Sequence, residues 1–277
     1  MRVSRKAPEY LTQNKQGAIP PPRSMWQRIR RIWIGAGLIF TVLFVTWTLI
    51  AIRPQGVARA ALESDARVRI TQTDTHITFL PAEGRRTTGL LFFAGALVDP
   101  IAYAPVMRDV AEAGYAAVLV KLPRRGALGG ADGPEVLTRG VNATLALPEI
   151  TRWVLAGHSR GGEVAARLAH TAAPSFVGLV LIGTSHPRDI SLAGSRLPVT
   201  RIYGTRDTVA DIEKLDRNRG NLPAVIRDVR IEGANHSQFA YYGFQPGDWP
   251  ATISRDEQQR ITIAAILDAM RAADERP

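Results

Sequence analysis

The feature that most constrains this chain is a serine bracketed by glycines, Gly157-His158-Ser159-Arg160-Gly161-Gly162, set between the apolar run Trp153–Ala156 and an alanine-rich stretch. The apolar run reads as a buried strand and the stretch after it as a helix, so the chain must turn sharply within a few residues. Such a turn lifts the serine into a strained backbone conformation and presses strand against helix, leaving space only for glycine at the flanking positions. It also points unpaired N–H groups of the helix N-terminus toward the serine oxygen. The bare G-x-S-x-G pattern arises readily by chance, and its placement between strand and helix is what makes it informative. A serine hydroxyl is a poor nucleophile unless a base lies within hydrogen-bond reach and a carboxylate orients that base. Without such partners the motif is only a glycine-lined turn.

The surrounding sequence alternates short β-rich runs with helical stretches, the pattern of a mostly parallel sheet covered on both faces. Strands are predicted near Val68–Thr71, His76–Phe79, Leu90–Phe93, Ala116–Val120, Arg152–Ala156, Val177–Ile182, Val199–Tyr203 and Val225–Ile231. Helices fit at Ile101–Ala113, Glu135–Ala146, Gly162–Ala172, Ala210–Asn218 and Arg255–Ala273. Asp99-Pro100 reads as a helix cap followed by a first-turn proline.

Two later loops offer the missing partners. Tyr203-Gly204-Thr205-Arg206-Asp207 delivers Asp207 at the carboxyl end of the seventh strand, and Gly233-Ala234-Asn235-His236 delivers His236 after the eighth. Both open on the edge that carries Ser159. Asp207 would hold the imidazole tautomer and His236 would relay the proton. Asp189 and Asp211 are rival acids, and His186, after the sixth strand, is a rival base; His76, His158 and His170 read as packing or surface residues. For an oxyanion hole, the Arg160 N–H at the helix start is one candidate donor. The second lies after the third strand, in Phe93-Ala94-Gly95-Ala96-Leu97, with Ala96 preferred and Leu97 the alternative.

At these residues the chain resembles the α/β-hydrolase superfamily, and more closely its dienelactone-hydrolase-like bacterial branch. The resemblance spans about Gly89 to Gln259 and includes Tyr242-Gly243-Phe244-Gln245-Pro246-Gly247-Asp248 and Ile253-Ser254-Arg255. It implies an α/β-hydrolase fold, an eight-stranded, mostly parallel sheet flanked by helices, and the order Ser, then Asp, then His along the chain. Ala94 stands where many relatives carry His, which predicts a missing hydrogen bond beside the oxyanion loop. Dienelactone hydrolases proper use a cysteine nucleophile; this chain has no cysteine, so their substrate does not carry over. About a dozen residues separate Gly183 from Leu197, too few for a large cap domain.

Ahead of this domain, Ile32–Ile52 is an uncharged apolar run that spans roughly 30 Å as a helix, the thickness of a bilayer core. Trp26, Trp33 and Trp47 fall near its expected interfaces. The formal charge of +10 is concentrated before it: residues 1–31 hold eight basic residues against the single Glu9, whereas the remainder has 27 basic and 24 acidic residues. A basic tail of this kind predicts a cytoplasmic N-terminus and an outward-facing domain, and argues against nucleic acid as the folded domain's partner. A cleaved signal peptide, with Ala58-Arg59-Ala60 at the cut, and a buried core helix are the alternatives. The expected organisation is a basic tail at 1–31, a transmembrane anchor at 32–52, a linker at 53–66 and the α/β-hydrolase domain at 67–277.

The expected activity is therefore hydrolysis of a carboxylic ester or related acyl bond in a small molecule, through an acyl-enzyme and without metal or cofactor, at the outer face of the cytoplasmic membrane. A catalytically silent binding module of the cell envelope and an acyltransferase are the alternatives. Lys121, Arg124, Arg125, Arg160 and Arg206 all fall near the carboxyl edge of the sheet, where they either attract an anionic group or are merely solvated. Tyr241, Tyr242 and Trp249 either wall the pocket or pack.

Overall fold

The computed structural model describes residues 24–84 and 86–275. Most of the basic tail, including Lys15 and Arg23, lies outside the described residues. The chain divides into two compact units at Val45/Thr46. The described part of the first lies in an apolar helix, α1, Met25–Ala51, whose residues from Thr46 onward belong to the second unit. This helix is long and apolar enough to cross a membrane.

The second unit is built on one eight-stranded sheet. Its strands are β1 Val68–Gln72, β2 His76–Pro81, β3 Thr88–Phe93, β4 Ala116–Val120, β5 Arg152–His158, β6 Phe176–Ile182, β7 Val199–Gly204 and β8 Arg227–Ile231. They lie in the order β1-β2-β4-β3-β5-β6-β7-β8. Only β2 runs against its neighbours, pairing antiparallel with both β1 and β4. The other helices are α2 Ala104–Glu112, α3 Pro134–Leu145, α4 Arg160–His170, α5 Ile212–Arg217 and α6 Arg255–Asp274.

The alternation of side chains along a strand divides the core in two. On β3, Leu90 and Phe92 face one apolar layer with Met107 and Val110 of α2 and Ile266 and Met270 of α6. Leu91 and Phe93 face the other, with Val164 and Leu168 of α4. Both faces being covered explains why the central strands read as continuous apolar runs.

Departures from the predicted boundaries have local causes. The segment predicted as a helix from Ile101 begins as a 3-10 turn over Pro100–Tyr103, capped by Asp99 Oδ1 on the Ile101 N–H at 3.1 Å, and turns α-helical only at Ala104, next to Pro105. α5 starts after Asp211, which caps it through the Lys214 N–H at 2.8 Å. β8 begins at Arg227 because pairing with β7 starts at Thr200↔Arg227, and Val225 is left exposed.

The stretch between α1 and β1 is held to the domain at both ends. Gly243 N–H donates to Ala51 O at 2.7 Å and Gln55 N–H to Tyr241 O at 2.8 Å. Further on, the mostly buried Arg108 of α2 donates to the carbonyls of Ala60 and Glu63 at 2.8 Å each, pairs with Asp65, and reaches Glu112 at 3.0 Å. A guanidinium can satisfy this many acceptors because its donors are fixed in a planar fork. Arg108→Ala should therefore remove one donor from each of two carbonyls and two carboxylates, and lower stability to denaturant by about 2 kcal/mol, discounted because Asp65 is half exposed. An unchanged urea midpoint would contradict this role.

Candidate active site

Ser159 occupies the turn between β5 and α4 with φ 54° and ψ −121°, a conformation that L-residues rarely adopt. The glycines beside it are sterically required. A Cβ on Gly157 would lie 2.2 Å from the Gly161 carbonyl carbon, and one on Gly161 would lie 2.1 Å from Phe93 O. The first turn of α4 thus rests directly on the end of β3 and on the loop that leaves it. Ser159 remains half-buried and accessible.

Asp207 and His236 come together. His236 Nδ1 donates to Asp207 Oδ2 at 2.8 Å, and both side chains are buried. The other carboxylate oxygen of Asp207 accepts from the N–H groups of Val209 and Ala210 at 3.0 and 2.8 Å, so the carboxylate cannot swing away. The rivals are otherwise engaged: Asp211 caps α5 and pairs with Lys214 at 2.8 Å, and Asp189 is exposed. His186 sits against Glu163 of α4, with Nε2 3.1 Å from its carboxylate. Ser159 Oγ makes no hydrogen bond to His236 among the described residues. What places His236 at the elbow is His158, whose ring lies 4.5 Å, centroid to centroid, from the His236 ring.

The part played by His158 and Tyr103 was not legible beforehand. Gly95 N–H donates to Tyr103 Oη at 2.9 Å, and Tyr103 Oη lies 2.8 Å from His158 Nδ1. Because the phenol accepts from Gly95, its own proton goes to Nδ1, which assigns the neutral Nε2–H tautomer to His158. Burial, and then the neighbouring His236, push His158 well below the ordinary histidine range, while burial pushes the Tyr103 phenol upward. His158 Nε2 is buried near the His236 carbonyl without a well-formed hydrogen bond. The loop that carries Ala94 and Gly95 is thus tied to the elbow through Tyr103, from the following helical turn. Tyr103 gave no sign of this in sequence, since it falls inside a stretch that reads simply as helix.

A second group positions the His236 loop. The buried carboxylate of Asp248 accepts from the N–H groups of His236 and Trp249 on one oxygen, at 3.2 and 3.0 Å, and from Ser237 N–H and Oγ on the other, at 2.9 and 2.8 Å. Gln258 of α6 exchanges two hydrogen bonds with the Asn235 backbone, at 3.1 and 2.7 Å. The only prior signal was Asp248 within the motif that carried the family resemblance.

Of the oxyanion candidates, Leu97 N–H is committed to Arg125 O at 2.7 Å, whereas Ala96 N–H and Arg160 N–H have no protein acceptor among the described residues. Leu97, Arg124, Arg125 and Leu128 all have positive φ, between 48° and 66°, at a cost of about 1 kcal/mol or more each. The loops after β3 and β4 are therefore held together under strain, with a Cβ on Gly126 only 3.2 Å from the Ala96 Cβ. Arg125 pairs with Asp99 at 2.7 Å, and Arg160 with Asp132 and Glu163. Lys121, Arg124 and Arg206 bond only to carbonyls, and among the described residues none meets a carboxylate. Tyr242 is fully buried, whereas Trp249 is exposed and stacked under Arg206. Among the described residues no three His, Asp or Glu side chains are grouped to hold a metal.

A sequence model described as the alpha/beta hydrolase family matches residues 89–260, the span that carries the elbow, Asp207 and His236. The chain belongs to the alpha/beta hydrolase family. Several solved structures share the hydrolase fold at low identity. TT1662 from Thermus thermophilus aligns with a TM-score of 0.52 at 17% identity, over 76% of this chain and 100% of that one. A dienelactone hydrolase-like promiscuous phosphotriesterase, P91, from metagenomic libraries aligns at 0.54 and 18%, over 73% and 97%. The esterase domain of a Rhodothermus marinus protein aligns at 0.54 and 14%, over 74% and 98%. No curated protein sequence matches this hydrolase.

His158 and His186 make a testable statement about pH. Burial lowers both, His186 to about 4 with help from Arg188 and Arg160. As pH falls through the unfolded value near 6.5, the unfolded chain takes up protons that the folded chain refuses, so stability is lost on acidification. The slope for each group is up to about 1.4 kcal/mol per pH unit. Urea midpoints should fall between about pH 7 and about pH 5, and less steeply in His158→Gln, which keeps an acceptor for Tyr103 but does not titrate. Equal slopes in the two proteins would contradict the assignment.

Proposed function

We propose that this hydrolase cleaves a carboxylic ester or related acyl bond by serine nucleophilic catalysis, with Ser159 as nucleophile, His236 as general base and acid, and Asp207 as the carboxylate that orients it. The observation that carries this reading is the buried 2.8 Å bond from His236 to Asp207, placed beside a strained serine elbow by the contact between His158 and His236. With Nδ1–H tied to Asp207, the proton-accepting nitrogen is Nε2.

In this mechanism Ser159 Oγ attacks the acyl carbon as His236 Nε2 removes its proton. The N–H groups of Ala96 and Arg160 hold the oxyanion. Collapse of the tetrahedral intermediate breaks the bond to the leaving group, which takes the proton from His236 and leaves an acyl-Ser159 ester. Water, deprotonated by the same imidazole, then releases the acid and restores the serine. His158, kept neutral by burial, does not compete for this proton. We further propose that α1 spans a membrane with the basic tail on the cytoplasmic side, which puts the hydrolase unit at the outer face. Its length, its composition and the tail's charge support that placement.

A fluorophosphonate probe should label the wild-type chain at Ser159 and leave Ser159→Ala unlabelled. Turnover of a short activated ester should drop about ten-thousandfold in Ser159→Ala and in His236→Asn. Failure of the folded wild-type protein to react with the probe would remove the serine mechanism. Tyr103→Phe cannot bridge Gly95 and His158, and should lower kcat about 10- to 100-fold with little change in KM. Loss confined to KM would show that Tyr103 shapes binding and does not position the oxyanion loop.

A further inference from the structure

The carboxyl edge of the sheet, where the candidate site opens, carries an unusual rim. Leu128, 90% exposed, and the exposed Leu97 are turned outward on backbone held at positive φ, beside the exposed Arg124. On the His236 side, Trp249 is 56% exposed under Arg206, and Phe244 is exposed with its ring 6.5 Å from Trp47. Apolar side chains interleaved with cations that lack carboxylate partners are what an interface with anionic lipid selects, the apolar groups entering the headgroup boundary and the cations facing phosphates. The loop Tyr241–Phe244 is also fastened to the exit of α1 with no slack, through Gly243 N–H to Ala51 O at 2.7 Å and Gln55 N–H to Tyr241 O at 2.8 Å. If α1 spans a bilayer, its apolar stretch ends at Ile52, before the exposed Arg53, so this loop is held at the bilayer surface.

We propose that the rim bearing Leu97, Leu128, Phe244 and Trp249 rests on the anionic phospholipid surface of the membrane that α1 spans, and that the site takes an amphiphilic acyl substrate from that leaflet. The inference rests on the reading of α1 as an anchor. Its occupant is the lipid surface itself: the fixed attachment at Ala51 supplies the proximity, and Lys121, Arg124 and Arg206 supply the matching charge.

Because the chain has no cysteine, single spin labels can be placed cleanly. The full chain, carrying one label at Leu43→Cys, Leu128→Cys, Trp249→Cys, Leu145→Cys or Val225→Cys, would be reconstituted in phosphatidylethanolamine–phosphatidylglycerol vesicles. Collisional access to oxygen, which concentrates in lipid, is compared with access to a water-soluble nickel chelate. Labels at 43, 128 and 249 should favour oxygen. Labels at 145 and 225, which are 70% and 87% exposed but lie toward the opposite edge, should favour nickel. Arg124→Gln should reduce the lipid-contacting fraction at 249 about fivefold. Oxygen preference at 43 with nickel preference at 128 and 249 would overturn the rim contact and leave the anchor intact. Nickel preference at 43 would overturn the anchor and the rim proposal with it.

Discussion

The structure turns on a contact that only glycine permits. α4 approaches the end of β3 so closely that the Gly161 Cα faces the Phe93 carbonyl with no space for a methyl group. That approach holds Ser159 in its strained conformation and presses the helix start against the loop that carries Gly95 and Ala96. The proposed nucleophile and the candidate oxyanion donors are therefore set by one backbone contact, and the side chains around them only refine it.

The refinement is carried by buried polar groups, which would be destabilising unless hydrogen-bonded. Asp207, Asp248, Tyr103 and Gln258 each satisfy two or more partners, and each bond also fixes a loop that has no regular structure of its own. The two imidazoles in contact beneath the elbow have different environments. His158 accepts from a phenol and is kept neutral by burial, whereas His236 is hydrogen-bonded to the Asp207 carboxylate.

Much of this was readable because it depends on local pattern. All eight strands announce themselves as apolar or alternating runs, and the positions of Asp207 and His236 follow from the rule that loops at the carboxyl ends of parallel strands converge. Helix starts were displaced by single residues, Pro105 and Asp211, whose effect on the first turn depends on which N–H groups remain to be capped. The bond between Tyr103 and His158 is not legible in sequence because it joins residues far apart, through side chains whose types suit ordinary packing. Nothing in the sequence period distinguishes a buried tyrosine that bridges two loops from one that fills space.

The hydrogen bond from Leu97 N–H to Arg125 O makes the loops after β3 and β4 one mechanical object. The first holds a proposed oxyanion donor, Ala96, and the second carries the exposed Arg124 and Leu128 at the same edge of the sheet. Any drift of the outer loop must therefore pull on the amide that would stabilise developing charge, so the breadth of substrates this fold can admit and the speed at which it can turn them over are not free to vary independently.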